Sequence, residues 1–300
     1  MGMTYILYNR LANNGKGDEG VESIIEKTGK DAVTVDVSAT DVRALAESLE
    51  DDDTMILCGG DGTVNRFAND IYGIKPRFPI YLWSSGTGND FLNDIGVPEG
   101  EKAVLINEYI EELPTVTVNG ETRRFINNVG FGIDGAVCER ADEIKAKGKI
   151  KINYTAIAAK LLMFKYDPPK ATVTVDGRTR TYNRVWMAPA MNGRYYGGGM
   201  MVAPMQDRKS GMLSSVVVHR VSRLVALTRF PGIFKGKHIR YKEMVDWIKG
   251  DEITVKFDRP TALQIDGDTI VGVLEFTARS ARSSQGEECG VGGKTFAGQI

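Results

Sequence analysis

The chain has 300 residues, a formal net charge of −1 and 42% hydrophobic residues, enough apolar material for one large core or two moderate ones. No apolar run approaches the roughly 20 residues that span a bilayer, and nothing at the start has the charged-then-apolar pattern of a secretory leader. Three scattered cysteines and two histidines supply no disulfide framework, no His-rich zinc site and no Ser-His-Asp triad, so a reducing cytoplasm is the expected compartment.

Met3–Tyr8 is a short apolar strand, Val21–Lys27 is helical, Val33–Val37 is a second strand and Val42–Leu49 has helical spacing. Thr54–Cys58 is a third strand, followed by "GGDGT" and a helix near Val64–Tyr72; Pro79–Trp83 is a fourth, ending at "SSGTGND". Strands alternating with helices over about 115 residues predict a parallel sheet covered on both faces, a three-layer α/β nucleotide-binding domain. After Pro114 the texture turns to β, with N-G and D-G turn signals, and predicts a mostly antiparallel β-sandwich. The expected division is residues 1–116, residues 117–279 and a loose tail over 280–300.

Charge is unevenly spread. Asp18–Asp53 carries 12 acids against 3 bases. Ile144–Tyr166 has six lysines and His219–Lys242 seven Lys or Arg, neither with an acid, and both carry aromatics. Such runs are ordinarily solvated faces; two of them make an anionic surface worth considering as a partner.

Three glycine patterns are decoys. "GKGDEG" (Gly15–Gly20) lies too far from its strand for a dinucleotide turn, "GFGIDG" (Gly130–Gly135) sits in the β-rich half, and "GVGGKT" lacks the first glycine and the strand of a P-loop. "GGDGT" is stronger. Gly59 and Gly60 let the backbone turn close to a ligand, and the free N–H groups of the following helix favour a phosphate. A carboxylate there, Asp61, fits if the ligand is a metal–nucleotide; the alternative is a capping role. The next strand end repeats the pattern with Gly86, Thr87, Gly88, Asn89 and Asp90, and the first gives "NRLANNGKG", so three turns would face one cleft.

"GGDGT" followed some 25 residues later by "GTGNDF" resembles the bacterial diacylglycerol kinase-like lipid kinases, relatives of sphingosine and ceramide kinases, and the likeness extends over residues 4–275. "NGRYYGGGMMVAP" (Asn192–Pro204) and "IDGD" (Ile265–Asp268) resemble further family stretches. The resemblance implies an α/β nucleotide domain joined to a β-sandwich with the active site between them. It implies Mg·ATP as phosphoryl donor and a lipid hydroxyl at an anionic membrane as acceptor, with phospholipid metabolism as the setting. It implies nucleotide contacts at Asn9, Arg10, Leu11, Ala12, Asn13, Thr40, Gly60, Asp61, Gly62, Thr63, Val64, Asn65, Arg66 and Thr87, beside Asp90. Lys160 matches the family's conserved lysine, and Asp268 its general base. A structural Mg²⁺ loop maps onto Asp207, Ser210 and the Met212 carbonyl.

The chain departs from the family pattern. Arg10 stands for a proline, Arg66 for a glutamate, Asp268 for the longer glutamate and Ser210 for a carboxylate, which weakens the metal loop. A lipid kinase bound peripherally to the inner face of the membrane is the leading expectation. A kinase of a soluble substrate such as NAD and a nucleotide-binding regulatory homologue without turnover stay open, as does a homodimer; no nucleic-acid partner is expected.

Overall fold

The computed structural model describes residues 2–10, 20–29, 31–85, 89–98, 100–149 and 152–284. The first half runs β1 (Thr4–Tyr8), α1 (Val21–Thr28), β2 (Val33–Asp36), α2 (Val42–Ser48), β3 (Thr54–Gly59), α3 (Asp61–Asp70), β4 (Ile80–Ser84), α4 (Asp90–Asp94), β5 (Ala103–Leu105) and α5 (Asn107–Ile110). The sheet order is β2-β1-β3-β4-β5; the first four strands are parallel and β5 is antiparallel to β4. Period-2 alternation divides the strand residues between two cores. Leu7, Leu57 and Leu82 face α2 to α5, whereas Ile6, Ile56 and Trp83 face α1. Three layers result, as the alternating elements predict.

The second half is antiparallel. It contains β6 (Thr115–Val118), β7 (Glu121–Arg124), β8 (Asn128–Gly132), α6 (Ile133–Ala146), α7 (Tyr154–Lys160), β9 (Ala171–Val175), β10 (Arg178–Tyr182), β11 (Met187–Met191), β12 (Tyr195–Tyr196), β13 (Met200–Met201), β14 (Leu213–Val218), α8 (Arg223–Arg229), β15 (Val245–Gly250), β16 (Glu252–Ile265) and β17 (Asp268–Arg279). Because β6 pairs with β17, the chain changes sheets at Pro114–Thr115, two residues before the expected boundary. Ten strands form one connected ladder. The fourteen-residue β16 pairs with β9 through its first part and with β8 through its last, and irregular register between Lys256 and Leu263 bends it. The ladder thereby wraps a core around Phe131, with the Phe257 ring stacked 4.7 Å away and Phe276 at 5.3 Å.

The turn signals act where expected. Asn119-Gly120, Asp176-Gly177 and Asp266-Gly267 all have positive φ at both residues, the requirement of a tight two-residue hairpin. The helix α6 inside this half has no counterpart among the sequence expectations. Its start follows β8 directly through Gly132, so "GFGIDG" is a strand-to-helix turn after all.

Candidate active site

The strand order 2-1-3 reverses direction of travel between β1 and β3, and open α/β sheets bind ligands at the carboxyl ends of strands on either side of such a point. Asn9 follows β1 and Gly60 follows β3, and both line one cleft of about 1310 Å³ between the two halves. The helix α3 begins at Asp61, three residues earlier than the periodicity suggests, so "DGT" is itself the first helical turn. Its N-cap, Gly60, offers no side-chain cap, which leaves first-turn N–H groups for a ligand. Gly59 is obligatory for this turn, because a Cβ there would collide with the Thr63 hydroxyl. Gly62, Thr63 and Arg66 also line the cleft. A backbone cradle at a ten-residue helix start with a cation one turn along fits a nucleotide polyphosphate.

Buried carboxylates then link the two halves. Asp61 accepts hydrogen bonds from the backbone N–H of Asp90 (2.9 Å) and of Phe91 (3.1 Å), so it caps the neighbouring helix α4 rather than its own. Asp90 in turn accepts from the amides of Gly198 (2.8 Å) and Gly199 (2.6 Å), which belong to the glycine loop of the second half. Asp266 accepts from the amides of Ile126, Asn127 and Asn128 and from the Asn65 side chain at 2.6 Å. Burial raises Asp61 to about 6, helped by the negative charge of Asp90. Burial likewise raises Asp90, with the two glycine amides pulling back, and Asp266, with its backbone amides pulling back.

Several expected nucleotide contacts land elsewhere. Val64 is fully buried in the core of the first half. Asn65 serves as a latch to Asp266, not as a cleft residue. Arg10 pairs with Asp36 at 3.7 Å, and Thr40 is exposed; neither lines the cleft. Leu11, Ala12, Asn13 and Thr87 lie outside the described residues. Lys160 is exposed at the end of α7, with its neighbours Ala158 and Ala159 facing the cleft in its place.

Asp268 needs correcting too. The left-handed backbone at Asp266 turns that carboxyl inward onto three amides, and Asp268, two residues on, opens β17 with its side chain 72% exposed and 3.7 Å from Arg123. The cleft is lined by Asp266 and Gly267, not Asp268. We therefore expect Asp268→Ala to leave turnover within about threefold of the parent, the scale of a surface change. Steady-state rates of the two proteins check this, and a loss beyond tenfold would return Asp268 to the chemistry.

The metal loop does not fit a metal. The Asp207 carboxylate caps a short turn by accepting from the Lys209 amide at 3.0 Å, the Ser210 hydroxyl donates to the Asp207 carbonyl at 2.6 Å, and the Met212 carbonyl accepts from Gln206 at 2.8 Å. Among the described residues no group of three or more His, Cys, Asp or Glu could hold an ion. A guanidinium supplies the positive charge in this loop instead. Arg208 Nε donates to Asp94 Oδ2 (2.8 Å), Nη1 to the Ile126 carbonyl (2.8 Å) and Nη2 to Asn127 Oδ1 (3.0 Å). The other Asp94 oxygen accepts from the Arg194 amide (2.8 Å) and Nε (3.0 Å). Gly193 leaves room for this, since a Cβ there would sit 2.7 Å from Arg208 Nη2.

Beyond the carboxylates the cleft turns apolar, with Ile133, Val137, Leu162, Met187, Leu227 and Phe230 on its walls. Both acid-free basic segments line it, the first through Tyr154 and Ala158 and the second through Leu227 and Phe230. Arg223 ties them, donating to the carbonyls of Leu162 (3.2 Å) and Tyr166 (2.7 Å). Phe164 (72% exposed), Leu224 (71%) and Phe234 are the exposed apolar tips of these segments, whereas Ile233 is buried.

Sequence reasoning passed over Asp94, Asn128, Asp134, Tyr196 and Arg208. The turn "GFGIDG" was the available signal for Asp134; the others become functional only through contacts between segments far apart in sequence.

Two family descriptions match: "Diacylglycerol kinase catalytic domain" over residues 3–118 and "YegS C-terminal NAD kinase beta sandwich-like domain" over residues 127–280. The chain is 28% identical over 258 residues to proteins named diacylglycerol kinase from two strains of Mycobacterium tuberculosis, covering 81% of this chain and 82% of the relative. A crystal structure titled as a diacylglycerol kinase from Bacillus anthracis str. Sterne superimposes with a TM-score of 0.63 at 19% identity, over 93% of this chain and 95% of that one, a likeness of fold.

Proposed function

The chain belongs to the diacylglycerol kinase-like lipid kinase family, and on that premise we propose that it transfers the γ-phosphoryl group of Mg·ATP to a hydroxyl of a diacylglycerol-like membrane lipid. One observation carries the reading: a single cleft has a phosphate-type helix start at one end, apolar walls at the other and buried carboxylates between them. Catalysis in such a site is positioning and charge compensation. Amides of the first α3 turn and Arg66 hold the phosphates. Asp61, raised to about 6, is ionised at neutral pH and suited to take the proton of the attacking hydroxyl. The Mg²⁺ that arrives with the nucleotide neutralises phosphate charge.

Labelled ATP with diacylglycerol in mixed micelles, beside NAD as a soluble acceptor, tests this. Radiolabelled phospholipid is the expected product. Label in NAD alone would support the soluble-substrate reading, and no transfer at all the regulatory one.

The acceptor implies an interface. We propose that the basic face around Phe164, Leu224 and Phe234 docks on the anionic inner leaflet and presents the apolar mouth to lipid. Each Lys or Arg near such a surface contributes about 1 kcal/mol, screened by salt. Sedimentation with anionic vesicles, fading as salt rises, is the expected result, and equal binding to neutral vesicles would reject it.

A further inference from the structure

The chain has two histidines, and both hold one segment. Residues 220–244 leave the sheet at the end of β14 and return at the start of β15, carrying α8 and two 3-10 turns, Phe230–Lys235 and Lys237–Arg240. This excursion supplies Leu227, Phe230, Pro231 and Phe234 to one wall of the cleft. Its two ends meet at His219, whose amide donates to the Met244 carbonyl at 2.9 Å. The His219 ring is 3% exposed, 3.7 Å from Asp246 on β15 and 4.8 Å from the Tyr182 ring of β10. Among the described residues neither of its ring nitrogens has a hydrogen-bond partner. His238 holds the far side of the excursion. It is 4% exposed, its Nε2 lies 2.9 Å from the Val202 carbonyl, and its Nδ1 has no partner among the described residues. Gly236 next to it packs so closely that a Cβ there would sit 2.9 Å from the Pro204 side chain.

Both sites suit a neutral imidazole and oppose a charged one. Facing a carbonyl, His238 Nε2 must carry the ring proton, so acid adds the second proton at Nδ1, which meets no acceptor. His238 lines a small cavity with Trp186, Ile233, Met244 and Arg229, whose charge is paired with Glu243; Lys237 and Arg240 share its own turn. At His219 the Asp246 carboxylate is already engaged by Arg180 at 2.7 Å, and Arg220 is a further cation beside it. Burial lowers both histidines below the usual 6.5; Asp246 pulls His219 back against Arg220 and Arg180, and the Val202 carbonyl pulls His238 back.

We propose that residues 220–244 form a strap along the apolar end of the cleft, held in place by two neutral histidines and loosened when these take up protons. Such a strap governs access whatever the cleft binds. A histidine that is buried neutral binds its proton more readily once the strap is loose. Closure is therefore fully supported above pH 6.5 and weakens as pH falls below it. Between about pH 7.5 and about pH 5.5 each imidazole shifts the balance toward the loose strap by up to about tenfold, and the two together by up to about a hundredfold. Arg223, bonded to the Leu162 and Tyr166 carbonyls, keeps its charge throughout and tethers α8 while the rest loosens. Asp61 titrates with the opposite sign and does not imitate the effect.

The test is amide hydrogen exchange of the full chain at those two pH values, corrected for intrinsic rates, with His219→Gln, His238→Gln and the double variant alongside. Protection of residues 220–244 in the parent should fall in acid by up to about a hundredfold while β3 and β16 keep theirs. Each single variant should retain a fall of up to about tenfold, and the double variant none. Unchanged protection in the parent overturns the strap, as does a loss shared by β3 and β16, or a double variant that loosens as the parent does. Proton NMR of the parent's two imidazoles needs no variant. Both should titrate below 6.5 and in step with the loss of protection, and titration of both at or above 6.5 overturns the strap.

Discussion

Asp61→Ala should abolish phosphoryl transfer, with an expected loss of about 1,000-fold or more, because the proposed reaction needs its charge at the reacting end and its carboxylate also holds α4 in place. Asp61→Asn should fail nearly as badly. Its amide keeps the size, but it has no negative charge, and it can accept from only one of the two α4 amides while turning a donor toward the other. ATP binding by calorimetry separates chemistry from collapse of the site: binding within a few-fold of the parent with turnover gone supports the role, and turnover near parental in both variants sinks it. The parent's kcat/KM should fall about tenfold per pH unit below about 6, since the ionised carboxylate is the working form. Stability runs the opposite way. A carboxyl raised from 3.8 to about 6 favours the folded state fully below pH 3.8, and that contribution is lost as pH rises through about 6. The difference is about 3 kcal/mol, so the site is active where Asp61 strains the fold most.

Arg208→Met and Asp94→Ala should each destabilise the protein by about 3–5 kcal/mol, because each strands a charge buried with its partner. At roughly 2–4 °C per kcal/mol for a large domain, the melting temperature should drop by about 10 °C. Arg208→Lys should recover less than half of that, since an ammonium cannot reach Asp94, the Ile126 carbonyl and Asn127 together. EDTA or added Mg²⁺ without nucleotide should leave the parent's melting curve unmoved, as expected of a loop clasped by a guanidinium. A fall of several degrees with EDTA, alongside a silent Arg208→Met, would restore the metal.

The fold was largely legible because its signals are local. Alternation and helical spacing mark β1 to β4 and α1 to α3, and the N-G and D-G pairs mark three hairpins whose backbone angles only such pairs adopt readily. The turn "GGDGT" announces a ligand because glycine at Gly59 has a steric reason that can be guessed. What each carboxylate does was not legible. Asp61, Asp90, Asp94 and Asp266 all spend their oxygens on amides or cations between 29 and 201 residues away, and no local pattern encodes such partners. Asp268 misled for the same reason: neighbouring positions in a tight turn point opposite ways, and only the tertiary ladder decides which faces the cleft. Ser210 signalled a weakened metal loop, yet Arg208, two residues before it, gave no sign in sequence that it bridges to Asp94.

The pairing of β6 with β17 bears on how the chain is made. Thr117 stands opposite Thr277 in the antiparallel register, so the first strand of the second half waits for the last of its described strands. At a synthesis rate of about 5–20 residues per second, β6 leaves the ribosome about 8–30 s before its partner exists. The parallel half, whose strands all pair within its own stretch, is complete by then. The nascent chain therefore carries a finished nucleotide-type domain joined to an open sheet edge, and the cleft is the last part of the molecule to form.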